Sequence, residues 1–390
     1  MRKILIAIPF LHSGGVEVSL IRFLDEICKN KDNQIDLLML KKTGMYLNSV
    51  PNNVNIKEVK YVNQLYDYNN KIRDINKYKG SEKLKFLFYR TILKFYLKTN
   101  NYQKYYQKIL KYVEIIPSSY DLAIDWHGYG HFMTAVVADK VKAAKKAMWI
   151  HDEKNKWMSK IWYWRDKFDK IYCVGQAVKD NLLLNFPVLK SKTDVFYNII
   201  DYNGIRKKSL EKCDFTFDKS VINIITVGRI EWQKGYDVAI ETAKILKDKN
   251  FSFKWYFVGS GSLENELKRK VTYYELDNNI EFLGVLNNPF PYIKMADLYV
   301  LTSRHEGYCL ATLEAKILGK IIIATDIPSN REQIKNNQNG ILCKLDSQLF
   351  AKKIIEISNN DELKNIISDN LKNENFDFTF QLEKIYKLME

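Results

Sequence analysis

The chain has 390 residues, 46% hydrophobic and 27% charged, an ordinary globular composition that excludes low-complexity and collagen-like classes. Its formal net charge of +15 predicts an anionic partner, whether nucleic acid, a membrane surface or a phosphorylated substrate. Two or three domains are expected at this length, and no apolar run approaches the roughly 20 residues that span a bilayer.

Met1-Arg2-Lys3 followed by Ile4-Leu5-Ile6-Ala7-Ile8 looks like a short signal-peptide core, but no small-residue cleavage site follows. A first buried strand over 3–9 is predicted instead. Ser13-Gly14-Gly15-Val16-Glu17 reads as a tight turn, 18–28 as a helix and 34–40 as a second strand. Further strands are predicted over 120–125 and 146–151, each ending in polar residues, and over 170–174, with a helix from Gln176. The five cysteines, Cys28, Cys173, Cys213, Cys309 and Cys343, show neither metal-ligand spacing nor disulfide density, which predicts a reducing, cytoplasmic compartment.

A basic, aromatic insertion falls at about 65–115. Between Lys71 and Lys111 twelve basic residues face two acidic ones, Asp74 and Glu82. Arg90, Lys94 and Lys98 recur at helical spacing and line one predicted face; Leu84, Leu87, Phe88, Thr91 and Phe95 line another. Tyr96, Tyr102, Tyr105 and Tyr106 add rings of the kind found at lipid headgroup level. Two readings stand: a solvated basic face over a core-facing apolar stripe, or a surface that meets an anionic membrane or acceptor. No nucleic-acid-binding motif accompanies the charge, so no nucleic acid partner is predicted.

The pattern breaks over 195–218, where Val195-Phe196-Tyr197-Asn198-Ile199-Ile200-Asp201 leads into a polar stretch that reads as a domain linker. A second series of strands is predicted at 221–227, 253–258, 280–283, 298–302, 321–325 and 340–343, with helical segments between. Strands alternating with helices predict α/β domains with parallel sheets covered on both faces. Two such series predict two facing doubly wound, Rossmann-like domains with ligands in the shared interdomain cleft, beyond the carboxyl ends of the strands.

Candidate site residues cluster at predicted strand ends. Glu306 and Glu314 stand eight residues apart across a loop-to-helix junction, with the helix running over 309–318 and stopping at Gly319. That spacing spans roughly 12 Å of helix, too far for both carboxylates to act on one bond but suited to two ends of an extended ligand. Between them the amides of Cys309, Leu310 and Ala311 open a helix N-terminus suited to phosphate. A molecule with hydroxyls at both ends and a diphosphate between them is a nucleotide sugar. Arg229 and Lys234, after the strand at 221–227, are cations able to neutralise a diphosphate. Gly259-Ser260-Gly261 and Gly14-Gly15 let backbone approach a ligand. Each motif alone has a plainer reading, as surface charge or an ordinary turn; it is their shared order that carries the argument. His151 ends a strand ahead of Asp152 and Glu153, and is either a satisfied histidine or a site residue.

Gly228-Arg229 with Lys234-Gly235, then Val258-Gly259-Ser260-Gly261, then Glu306-x7-Glu314 and Thr325-Asp326-Ile327-Pro328-Ser329-Asn330 resemble the retaining glycosyltransferases of family 4. The resemblance is strong over about 220–345, looser over 1–205 and fades over 55–115. It implies the GT-B fold, with an acceptor-binding domain at 1–200, a nucleotide-sugar domain at 201–372 and a C-terminal helix at 373–390 packing back on the first. It implies that Glu306 contacts donor-sugar hydroxyls and Glu314 the ribose hydroxyls. Arg229 and Lys234 would stabilise the departing diphosphate, amides near Leu310 and Gly15 would support the phosphates, and His151 would lie near the reacting face of the sugar. Cys309 stands where the family often has Gly, and a reactive-thiol role for it lacks a nearby base.

The implied reaction is retaining, metal-independent transfer from a nucleotide sugar, most simply a UDP-sugar, to a hydroxyl acceptor. The sequence has no Asp-x-Asp, so no metal is expected and no cofactor beyond the donor substrate. The insertion points to a lipid-linked saccharide in polysaccharide, capsule or glycolipid assembly, with the protein cytoplasmic or peripheral on the inner face of the plasma membrane. Alternatives are a nucleotide-sugar epimerase of the same architecture and a non-catalytic partner subunit.

Overall fold

The computed structural model describes residues 1–12, 14–62, 67–68, 79–213 and 215–390. Ser13 of the predicted glycine turn, and 65–66 and 69–78 of the basic insertion with Lys71 and Asp74, lie outside the described residues. The chain forms two units, the first from Met1–Val174, Val178–Ile199 and Thr379–Glu390, the second from Gly175–Ala177 and Ile200–Phe378.

The first unit is built on a seven-stranded sheet of β1 (Arg2–Ile8), β2 (Asn33–Met39), β3 (Val54–Glu58), β4 (Ser119–Asp125), β5 (Lys142–Ile150), β6 (Lys170–Cys173) and β7 (Thr193–Val195). Every pairing is parallel, in the order β3-β2-β1-β4-β5-β6-β7. The inner strands read as unbroken apolar runs such as Ile4-Leu5-Ile6-Ala7-Ile8, all fully buried, because helices cover both faces. The sequence pattern did not yield β3 and β7, the two edge strands. β3 buries only Val54, and β7 has three residues.

The second unit carries a six-stranded parallel sheet of β8 (Ile222–Val227), β9 (Phe253–Val258), β10 (Ile280–Gly284), β11 (Leu298–Leu301), β12 (Ile321–Thr325) and β13 (Ile341–Cys343), ordered β10-β9-β8-β11-β12-β13. In each sheet the direction of strand addition reverses once, between β1 and β4 and between β8 and β11. Open α/β sheets bind ligands beyond the carboxyl ends of the strands at such a reversal.

The glycine segment differs from the expected turn. Gly14 caps the helix Gly15–Ile27 with an extended φ of 174°, so Gly15, Val16 and Glu17 form its first turn. Leu20, Phe23, Leu24 and Ile27 bury one stripe of this helix, which fixes its N-terminus at the carboxyl end of β1.

The helix Leu382–Met389 belongs to the first unit. Tyr172 donates to the Lys384 carbonyl at 3.1 Å, Lys384 Nζ donates to the Val195 carbonyl at 2.6 Å, and Arg2 lies over the Tyr386 ring at 5.0 Å. Residues 373–378 stay with the second unit.

The basic insertion turns the opposite way from the core-facing arrangement. In the helix Gly80–Lys98 the buried residues are Phe86, Tyr89 and Leu93, whereas Leu84, Leu87, Phe88, Thr91 and Phe95 are exposed. Arg90 is half-buried with its guanidinium over Phe86 at 5.6 Å, while Lys94 and Lys98 are exposed. Of the rings expected at headgroup level, Tyr106 packs inward and Tyr96, Tyr102 and Tyr105 are half-buried. In the helix Tyr102–Leu110, Tyr106 is buried and donates to the Gly130 carbonyl at 2.8 Å.

Candidate functional site

In the second unit, the chain leaving β8 runs through Gly228 and Arg229 into a short 3-10 turn at Trp232–Lys234, then the helix Tyr236–Asp248. The chain leaving β11 crosses 302–309 and enters the helix Leu310–Ile317. Because β8 and β11 are neighbours in the sheet, these loops must meet. The Arg304 amide donates to the Gln233 carbonyl at 2.8 Å, and Gln233 Nε2 donates to the His305 carbonyl at 2.9 Å. Arg304 grips Asp237 with both guanidinium nitrogens, at 2.8 and 2.6 Å. Burial opposes the Asp237 charge, but these hydrogen bonds hold its carboxyl below the usual range.

Inside this frame Lys234 Nζ donates to Glu306 Oε1 at 2.7 Å and lies 3.9 Å from Cys309 Sγ. The Lys234 and Glu306 side chains are only 13% and 7% exposed. Burial works against the ammonium, yet Cys309 and Glu306 beside it hold the Lys234 pKa above its ordinary value. Burial raises the Cys309 pKa and keeps it a thiol near neutrality, so Glu306 is the partner that matters there. The same burial makes Cys309 a poor nucleophile, and the reactive-thiol reading gains nothing. Gly228 makes room for the lysine stem, since a Cβ there would stand 3.2 Å from Lys234 Cε. Arg229, on the same loop, is exposed.

The glycines after β9 have a packing reason beside the ligand approach expected of them. A Cβ on Gly259 would lie 2.0 Å from the Gly228 carbonyl oxygen, and one on Gly261 2.2 Å from that of Ile230. The loops after β8 and β9 also hydrogen-bond directly, with Ser262 donating from its amide and hydroxyl to Glu231 at 2.9 and 2.7 Å. Loop-on-loop packing therefore already requires both glycines.

The helix Leu310–Ile317 starts at an N-cap, Cys309, that makes no side-chain cap hydrogen bond. Leu310 and Ala311 supply first-turn amides, whose N–H groups have no intrahelical acceptor. Glu314 lies one turn on and is buried. Gly319 ends the segment with a φ of +70°, as its position predicts.

In the first unit, His151 directly follows β5 and is buried. Its Nε2 lies 2.6 Å from the Trp126 carbonyl oxygen. A carbonyl only accepts, so Nε2 bears the proton and Nδ1 presents a lone pair. Burial pushes the His151 pKa down to about 4, which makes it a neutral hydrogen-bonding group at pH 7. Trp126 Nε1 in turn donates to the Val16 carbonyl at 3.2 Å, tying the Gly14-Gly15 helix start to the end of β4.

Sequence reasoning missed the loop that follows β4, Trp126-His127-Gly128-Tyr129-Gly130-His131. Gly128, Tyr129 and Gly130 all have positive φ, of 62°, 52° and 63°, and only the glycines adopt this without strain. His127 packs against His131 with ring centroids 4.5 Å apart, and Tyr129 stacks toward His151 at 6.4 Å. Buried Asp125 anchors the loop, accepting from the Thr134 hydroxyl at 2.5 Å and the Gly128 amide at 3.4 Å. The available signal was two histidines and two glycines clustered at a strand end.

His151 yields a pH prediction. Its folded pKa lies below the ordinary histidine value of about 6.5, so unfolding takes up a proton between pH 6.5 and about 4. Its stabilising contribution is complete above that window and is lost as the pH falls through it, by up to about 1.4 kcal/mol per pH unit. Asp125, pushed by burial up to about 7, acts with the opposite sign, its contribution being lost as the pH rises. Urea denaturation of His151→Gln should show a shallower acid slope than the parent chain across that window. Identical slopes would remove His151 as a source.

Residues 207–374 match the family model described as glycosyl transferases group 1. An uncharacterized glycosyltransferase of Methanocaldococcus jannaschii is 30% identical over 220 residues, covering 55% of this chain and 56% of that protein. N-acetylgalactosamine-N,N'-diacetylbacillosaminyl-diphospho-undecaprenol 4-alpha-N-acetylgalactosaminyltransferase of Campylobacter jejuni is 27% identical over 195 residues, covering 50% of this chain and 51% of that protein. The chain thus spans about half the length of the relatives it matches. A solved structure of S. aureus TarM, a variant in complex with fondaparinux, alpha-GlcNAc-glycerol and UDP, superposes with a TM-score of 0.71 at 16% identity, over all of both chains. The chain therefore has the GT-B glycosyltransferase fold, and its second unit is the part that matches the group 1 glycosyl transferases.

Proposed function

We propose that the chain is a retaining, metal-independent glycosyltransferase that moves a sugar from a nucleoside-diphosphate sugar, UDP-linked by preference, to a hydroxyl of a lipid-linked saccharide. The observation that carries this reading is the buried Lys234–Glu306 pair, on the loops leaving β8 and β11 where that sheet reverses. An ammonium has three N–H donors. One is committed to Glu306 and one is directed weakly at Cys309 Sγ, which leaves a third for diphosphate oxygens, with exposed Arg229 and the Leu310 and Ala311 amides adding positive potential. Charge that grows on the departing diphosphate would thus meet donors already in position, which favours the transition state over the ground state.

Glu306 has a second role in this reading. While Oε1 holds Lys234, Oε2 accepts from hydroxyls of the donor sugar, and Glu314 accepts from the ribose. Neutral His151 offers Nδ1 as an acceptor for a sugar hydroxyl rather than a positive charge. Retention follows from same-face attack, with a leaving phosphate oxygen taking the acceptor proton. The lipid-linked acceptor is supported by the name of the Campylobacter relative, whose substrate is a diphospho-undecaprenol saccharide, and the UDP donor by the nucleotide bound in the TarM complex.

The test is nucleotide release from a panel of UDP- and other nucleotide-sugars, with and without lipid-linked saccharides, in the presence of a chelator. Turnover that survives chelation and falls at least about 100-fold in Glu306→Ala is the expected result. Undiminished turnover in that variant overturns the site, and conversion of the nucleotide sugar without nucleotide release would mark an epimerase.

A further inference from the structure

Among the described residues, the helix Gly80–Lys98 packs on the first unit through the face that carries Phe86, Tyr89 and Leu93. Phe86, Tyr89 and Leu93 are buried, and Tyr89 meets Tyr112 edge-on at 5.7 Å. At 3.6 residues per turn, Leu84, Leu87, Phe88, Thr91 and Phe95 make a continuous stripe on the opposite side. Leu84, Phe88 and Phe95 are 69%, 71% and 61% exposed. Lysines border this stripe on both sides, with Lys83, Lys94 and Lys98 along one edge and Lys85 along the other. Glu82 falls on the far side of the helix.

We infer that this outer face docks on an anionic lipid surface. Leucine and phenylalanine side chains enter the boundary between headgroups and acyl chains while the flanking lysines meet lipid phosphates, and the helix lies in the plane of the interface. Among the described residues no helix is long and apolar enough to cross a membrane, consistent with a helix that lies along it. The charge pattern selects this occupant over a second copy of the chain. Stripe-to-stripe pairing of two copies would set lysine edges against lysine edges, a like-charge contact that disfavours association. The docking surface is independent of the donor chemistry, since none of these residues belongs to the Lys234–Glu306 site.

The experiment is co-sedimentation of the full chain with phosphatidylglycerol-containing vesicles and with pure phosphatidylcholine vesicles, at low and high salt. Binding to the anionic vesicles at low salt is expected, weakened by salt and by loss of lipid charge. Leu84→Ser/Phe88→Ser/Phe95→Ser removes only exposed side chains and should keep the parent circular dichroism while partitioning at least about tenfold more weakly. Lys83→Gln/Lys85→Gln/Lys94→Gln/Lys98→Gln should abolish the preference for anionic lipid. Lys234→Ala should partition like the parent, so failure of docking and failure of the proposed catalysis read out separately. Equal partitioning of the parent and the serine variant overturns the inference, as does a parent chain that self-associates through this stripe and ignores vesicles.

Discussion

Lys234→Ala is expected to lower nucleotide-sugar turnover by about 10²–10³-fold and to cost about 3–5 kcal/mol of second-unit stability. Both effects share one origin. The ammonium is the partner of a carboxylate whose side chain is 7% exposed, so its removal leaves Glu306 desolvated and uncompensated. Removing both members should destabilise less than the sum of the single losses, because the double variant strands no charge. Lys234→Arg is a stricter probe: it keeps the charge but brings a planar fork into a space shaped by Gly228, whose missing side chain accommodates the lysine stem. Denaturant titration and nucleotide release on the four-member cycle of Lys234→Ala and Glu306→Ala would measure the coupling. Additive losses would show that the 2.7 Å contact carries no energy of its own.

Gly235→Ala is the other large effect, expected to cost about 4 kcal/mol or more, at the exceptional end for single substitutions. Gly235 has a φ of +66°, and a Cβ there would stand 2.0 Å from the Thr302 carbonyl oxygen. The two nearest atoms, the Thr302 carbonyl oxygen and carbon, are main chain, so relief requires the loops after β8 and β11 to separate. That movement would carry Lys234 away from Glu306, so turnover should fall along with stability. Gly319 supplies the control. It has a φ of +70° with nothing within 4 Å of its missing Cβ, and Gly319→Ala should cost only the left-handed strain, about 1–2 kcal/mol. Equal melting shifts in the two variants would show that the close approach at Gly235 relaxes without consequence.

The elements legible in the sequence were those whose pattern is local. The strand ahead of Glu306, the helix beginning at Leu310 and its stop at Gly319 follow from apolar run length, amide exposure and glycine placement. The contact between Lys234 and Glu306 is not local, since 72 residues separate them. It follows only once the sheet order places β8 beside β11. The orientation of the helix Gly80–Lys98 could not be read, because two apolar stripes run along it with helical spacing. Phe86-Tyr89-Leu93 and Leu84-Phe88-Phe95 satisfy the same periodicity, and tertiary packing chose the first. The loop at 126–131 was overlooked for a related reason. Its positive φ angles and its tie to Trp126 and Asp125 are properties of the folded turn, which spacing alone does not report.

The return of Leu382–Met389 to the first unit makes the second unit an insertion in the chain of the first. Arg2 and Tyr386 meet at 5.0 Å, so the first unit closes a loop that contains the whole stretch of chain between them. During synthesis its last helix becomes available only after the whole second unit has been made. A nascent chain ending near Ile199 would therefore leave the surfaces around Tyr172 and Val195 without their final cover. Completion of the first unit is consequently a late, long-range event, whereas the second unit's six strands all lie between Ile222 and Cys343, so its sheet can form before the last helix is made.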